Sequence, residues 1–280
     1  GIGKAAAISA GAAHVLAFGE PLPVVTELSP ATGPSAGGTT VTITGSNLSG
    51  ATSVMFGAAA ATSFTVDSST EITATAPAES AGTVDVTVTT PAGTSPKIAG
   101  DRYTFQGPPT VTKLSPKAGP VTGGTTVVLT GTEFKGASAV AFGSTPAVKF
   151  TVISNTSISA VAPAEVAGKV TVTVTNTAGS SSATSANAYK YTPIVSSVTP
   201  NAGPVAGGST VTVTGAGFVE GSGLTRFLFG KAKATSVVCP STTECTMTSP
   251  AGTAGTVNVF AEAAKVKSPV NSPADSFTYS

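Results

Sequence analysis

Polar and apolar residues alternate along much of this chain with a period of two. The pattern is clear in Thr39-Thr40-Val41-Thr42-Ile43-Thr44-Gly45 and Thr83-Val84-Asp85-Val86-Thr87-Val88-Thr89, and again in Lys169-Val170-Thr171-Val172-Thr173-Val174-Thr175 and Thr210-Val211-Thr212-Val213-Thr214. Successive side chains of a strand point to opposite faces, so this alternation puts Val and Ile on a buried face and Thr on a wet one. No amphipathic helical stretch of useful length interrupts it. In the first third of the chain the pattern predicts strands over 24–28, 39–45, 53–57, 63–66, 71–76, 83–90 and 101–105. Seven short strands separated by turn signals in a segment of this length point to a two-sheet sandwich.

The same text is then repeated. Ser29-Pro30-Ala31-Thr32-Gly33-Pro34-Ser35-Ala36-Gly37-Gly38-Thr39-Thr40-Val41 returns from Ser115 and again from Thr199, at spacings of 86 and 84 residues. That period is too long for a solenoid unit and suits a whole small domain. The expected organisation is an N-terminal segment over 1–23 and three domains over 24–106, 107–192 and 193–280. Gly37-Gly38, Gly123-Gly124 and Gly207-Gly208 precede the second strand, where a sharp turn or positive φ is expected. Phe56, Phe142 and Phe229, each followed by Gly, are expected in the cores, where burying a large ring is worth about 2 kcal/mol. The joints are short and contain proline, as in Gln106-Gly107-Pro108-Pro109 and Thr192-Pro193, so an extended, stiff array is expected.

Composition narrows the function. Charged residues make up 10% of the 280, and the net charge is +1. That leaves no footprint for nucleic acid or an anionic membrane, and no apolar run is long enough to span a bilayer. A Thr-rich, weakly charged sheet surface is common outside the cell. Catalytic machinery is not visible. His14 is the only histidine and lies outside the repeats, which argues against a Ser-His-Asp or His-based zinc site. Asp67 aligns with Ile153 and Pro240, Asp85 with Thr171 and Asn258, and Glu71 with Ser157 and Glu244. No carboxylate recurs in all three copies, so a repeated calcium site is not expected. No cofactor or metal is expected.

Two positions stand out in the third repeat. Cys239 replaces Val66 and Val152, and Cys245 replaces Ile72 and Ile158. The five residues between them should form a hairpin turn, so a Cys239–Cys245 disulfide is expected, the alternative being two buried thiols in a reducing compartment. The third repeat also carries a three-residue insertion around 219–225. Its flanks, Phe218, Leu224 and Arg226, are nominated as a contact site, since sandwich-end loops commonly carry recognition.

The repeated Ser/Thr-Pro, Gly-Pro, Gly-Gly-(Thr/Ser)-Thr-Val and Phe-Gly signals resemble the IPT/TIG family of immunoglobulin-like domains. The pattern continues with Pro77, Pro163 and Pro250, with Gly82, Gly168 and Gly255, and with a terminal aromatic pair. The resemblance implies three tandem immunoglobulin-like β-sandwiches. Family members occur in extracellular and cell-surface proteins, as spacers beside carbohydrate-active enzymes, and in a DNA-binding branch. Residues 1–19 resemble part of an RCC1-type propeller repeat, an alanine-rich tail and a signal-peptide remnant being the other readings.

The function expected from these signals is a non-catalytic extracellular or cell-surface array, a rigid spacer and adhesion module whose partner is a protein or cell-surface ligand. The alternative is a carbohydrate-binding accessory region of a secreted enzyme, with a polysaccharide partner. Against it, the chain has no Trp and four Tyr, and Tyr103, Tyr189 and Tyr191 fall on terminal strands where packing explains them.

Overall fold

The structure, a computed structural model, describes residues 19–280. The RCC1-like segment and His14 lie outside the described residues. Within them the chain forms three β-sandwiches. The first packs a four-stranded sheet, ordered Val24–Ser29, Thr40–Ser46, Glu71–Thr75 and Ser63–Val66, on a six-stranded one. The six-stranded sheet runs Thr32–Pro34, Arg102–Gln106, Gly82–Thr90, Ser53–Phe56 and Ala59–Ala60, with Gly93–Thr94 beside Gly82–Thr90. The second sandwich repeats this order with Thr110–Ser115, Thr126–Thr132, Ser157–Val161 and Lys149–Ser154 facing the sheet built on Gly168–Asn176. The third adds one strand to the smaller sheet. There Gly221–Ser222, from the insertion, pairs with the edge strand Thr235–Cys239. The second and third sandwiches belong to one compact unit.

The alternation seen in the sequence is the alternation of burial. Val41 and Ile43 are fully buried, as are Val86 and Val88, while the threonines between them face outward. At the centre of each core a Phe from the third expected strand meets two rings from the last. Phe56 lies 5.1 Å from Tyr103, which lies 4.9 Å from Phe105, all edge to face. Phe142, Tyr189 and Tyr191 repeat this at 5.2 and 5.1 Å, and Phe229, Phe277 and Tyr279 at 5.0 and 5.0 Å. Edge-to-face pairs suit the ring quadrupoles and add about 1 kcal/mol each beyond burial.

The Gly-Gly signal has a steric cause. Gly37, Gly123 and Gly207 have φ of 78°, 73° and 74°, and a Cβ on any of them would fall 2.5 Å from the carbonyl carbon of Pro77, Pro163 or Pro250. Two separate pieces of the repeated motif are thus one backbone contact, which only glycine permits.

Candidate functional site

The second and third sandwiches are joined by almost nothing. The strand Ala188–Thr192 ends one residue before Ile194–Thr199 begins, and that residue is Pro193. Packing supplements the linker. Val121 of the second sandwich is buried in its own core cluster, and Ala216 of the third packs against that cluster. Beside it, Gly217 has a φ of 76°, and a Cβ there would fall 2.7 Å from Val121 Cγ1. The valine therefore rests on bare backbone.

Two clefts lie at this joint. The larger, of roughly 880 Å³, lies between the loop 164–167 and the start of the insertion, with Val166, Phe218 and Val219 in its walls and Glu165 and Glu220 among its polar groups. Glu165 is occupied locally, accepting hydrogen bonds from the Thr145 hydroxyl and from the Val166 N–H. The smaller cleft, of roughly 410 Å³, is lined by Pro120, Ile194, Pro269 and Val270 among others.

The family model for the IPT/TIG domain matches residues 23–106, 109–191 and 193–279. The chain belongs to the IPT/TIG family. Among solved structures it is similar to the plexin A4 full extracellular region, at 26% identity over 83% of this chain and 21% of that one, with a TM-score of 0.41. It is similar also to SGBP-B from a complex xyloglucan utilization locus in Bacteroides uniformis, at 22% identity over 75% and 63%, with a TM-score of 0.32. A third is invasin, a bacterial integrin-binding protein, at 16% identity over 86% and 56%, with a TM-score of 0.24. The chain spans less than two thirds of each of these proteins' chains. No curated protein matches it. The family match alone carries the assignment.

In the third IPT/TIG domain the nominated contact residues separate into three roles. Phe218 is buried, with its ring 5.3 Å from Phe227. It occupies the position of Leu48 and Phe134, which are fully buried in the other two domains, so its ring belongs to the core. Leu224 is 61% exposed at the tip of the insertion. Arg226 begins the next strand and donates to Glu262 at 2.6 Å. The loop is closed by Thr225, whose buried hydroxyl accepts the Val219 N–H at 2.7 Å and donates to the Val219 carbonyl at 3.3 Å. Cys239 and Cys245 form a disulfide, and both are buried.

The four tyrosines are buried, so none is a platform for a ligand. Burial raises the pKa of Tyr103 and Tyr189, and the hydroxyls of Thr39 and Thr125 beside them lower it in part. Neither phenol makes an aligned hydrogen bond; each sits with its threonine over Gly33 or Gly119. Tyr191 is raised furthest, by burial first and then by Tyr189 and Glu165. Tyr279 is raised by burial, and its hydroxyl donates to the Pro250 carbonyl at 2.9 Å.

A second set of residues escaped the sequence reading. Asp101, Asn187 and Asp275 are fully buried two residues before the first ring of each terminal aromatic pair. Asp101 and Asp275 accept the N–H groups of Ile98 and Asn271 at 2.8 Å, and Asn187 accepts that of Thr184 at 2.8 Å. The shared spacing before the aromatic pair was the signal available. Among the described residues, no three of His, Cys, Asp and Glu are placed to hold a metal ion, and no helix is long and apolar enough to cross a membrane.

Proposed function

We propose that the chain is a non-catalytic extracellular or cell-surface array, a stiff spacer that also presents interaction surfaces. The observation that supports this most is the joint between the second and third IPT/TIG domains. A one-residue proline linker and the Val121–Gly217 contact leave little freedom for the two to rotate independently. Domains that only need to be tethered are usually joined by longer, flexible segments. The buried Cys239–Cys245 disulfide fits an oxidising compartment.

The test is a distance distribution between labels at exposed Thr151 and Thr253 in the intact chain. It should be narrow, and a four-residue Gly/Ser insertion after Pro193 should broaden it. An equally broad distribution without the insertion refutes the spacer reading. Free thiols at Cys239 and Cys245 in protein isolated from its source refute the extracellular one.

A further inference from the structure

The outer face of the six-stranded sheet differs between the domains at corresponding positions. In the first domain, register places Met55 opposite Thr87 and Ala60, and Ser53 opposite Thr89, which in turn faces Thr94. In the second, Ala141 lies opposite Thr173 and Pro146, Ala139 lies opposite Thr175, and Thr175 shares a hydrogen bond with Ser180 at 2.7 Å. None of these twelve side chains is charged. In the third domain the same six places hold Leu228, Phe260, Lys233, Arg226, Glu262 and Lys267.

The fold does not ask for these residues, since two sandwiches of the same topology form without them. Phe260 is also unlike the other rings. Among the described residues every other Phe and Tyr is buried or packed against a core cluster, whereas Phe260 stands half-buried on the outer face. The Lys267 ammonium lies 3.4 Å from its ring centroid. A cation held over a ring has lost part of its freedom before any anion arrives, which reduces the entropic cost of pairing with one. Lys231 and Lys265 sit in the hairpin turns at the margins of the patch, and Lys265 holds a left-handed φ of 62°. Five of the chain's fourteen basic residues thus lie on or beside this face, and Glu262, the carboxylate among its six places, is paired with Arg226.

We propose that this face of the third IPT/TIG domain binds an acidic polysaccharide, one whose sugar rings carry carboxylates. Leu228 and the flank of Phe260 form an apolar floor suited to the C–H face of a pyranose. Lys233 and Lys267 stand three strand spacings apart, on the order of 15 Å, and reach carboxylates along a linear chain. Glu262 selects among polyanions. Beside its bond to Arg226 it keeps lone pairs that accept hydrogen bonds from sugar hydroxyls, donors that the carboxylate side chains of an acidic peptide do not offer. The face lines neither of the two clefts, which suits a polymer lying across strands better than a peptide in a groove.

The proposal rests on reading the chain as an interaction array, and its failure would leave the distance measurement at the joint unaffected. Binding of the intact chain is measured against polygalacturonate, neutral dextran and polyglutamate at physiological salt. The expected result is saturable binding to polygalacturonate, weakened by added salt and reduced roughly tenfold or more in a Lys233→Ala/Phe260→Thr/Lys267→Thr variant. Those substitutions install the first domain's residues, so the melting temperature serves as the folding control. A Lys113→Ala/Lys149→Ala variant, altered on the second domain, should bind as the parent does. The proposal is overturned by absence of saturable binding to polygalacturonate, by equal binding of the triple variant, or by equal affinity for dextran. Equal affinity for polyglutamate also overturns it and points to an acidic protein instead.

Discussion

At the edge of its smaller sheet the second domain pairs Val152 with Ile158, and Ile158 is buried while Val152 is only half covered. The third domain places Cys239 and Cys245 there, joins them, and lays Gly221–Ser222 along the strand outside. Cys239 is 2% exposed as a result. The second domain's edge has no such cover, and Val148 and Ile153 near it are 69% and 64% exposed. One scaffold therefore tolerates two solutions at one site. The apolar pair relies on contact area, whereas the bonded pair relies on restricting the unfolded chain. The insertion, which has the look of a recognition loop in the sequence, is at its base part of the third domain's sheet.

The sharpest way to break the comparison is through the loop's two apolar residues. Phe218→Ala should destabilise the third domain by about 3–5 kcal/mol, the cost of emptying a core ring site. Leu224→Ala, a few residues on, should change stability by less than about 0.5 kcal/mol. Denaturant unfolding of the intact chain measures both, and comparable costs would return Phe218 to the surface. Reducing the disulfide comes next, with an expected loss of about 2 kcal/mol for so short a closed loop. A Cys239→Val/Cys245→Ile variant, which copies the second domain, should recover part of that loss. No recovery would mean that the third domain's edge cannot use apolar contact at all.

Alkaline pH separates the domains by their phenols. A tyrosine whose folded pKa is raised favours the neutral form in the native state. Its stabilising effect is complete below pH 10 and is lost as pH rises above the unfolded value. The second domain buries Tyr189 and Tyr191, while the first and third each bury one such phenol, Tyr103 and Tyr279. Above pH 10 each contributes a slope of up to about 1.4 kcal/mol per pH unit. The second domain should therefore lose stability most steeply, and Tyr191→Phe, which copies Phe105, should bring its slope to that of the first. Equal slopes in parent and variant would count against this account. The last contrast concerns a buried carboxylate. Asp275→Asn, which copies Asn187, should shift stability by less than about 1 kcal/mol, while Asp275→Ala should cost about 1–3 kcal/mol by leaving the Asn271 N–H without its acceptor. Thermal melts of the two variants would decide it.

The sequence made the strands legible because a half-buried strand writes its two faces into alternate residues. All seven expected in the first domain are present, and what escaped were pieces two or three residues long, such as Thr32–Pro34 and Ala59–Ala60. Those are too short to show a period. Phe218 resists assignment from sequence because it follows a glycine at the mouth of an insertion, although its alignment with Leu48 and Phe134 places it in the core. Phe260 is the converse. It falls on a strand whose pattern reads correctly, in a slot that Thr87 and Thr173 mark as outward, and only register against Leu228 and Lys267 shows what surrounds it. Periodicity reports which face a residue takes. It does not report which neighbours share that face.

One pairing has a consequence for a chain under tension. In each domain a short segment near the start runs parallel to the last strand, Thr32–Pro34 beside Arg102–Gln106, Ala118–Pro120 beside Ala188–Thr192, and Ala202–Gly203 beside Ser276–Tyr279. Pulling a domain by its two ends slides these neighbours past each other, so their hydrogen bonds carry the load together and do not open one at a time. The disulfide, six residues apart in sequence, withholds almost none of the third domain's length once that patch gives way. Force applied along the chain should therefore meet resistance at the parallel patches, and single-molecule extension would show three yields of nearly full domain length, with or without reductant.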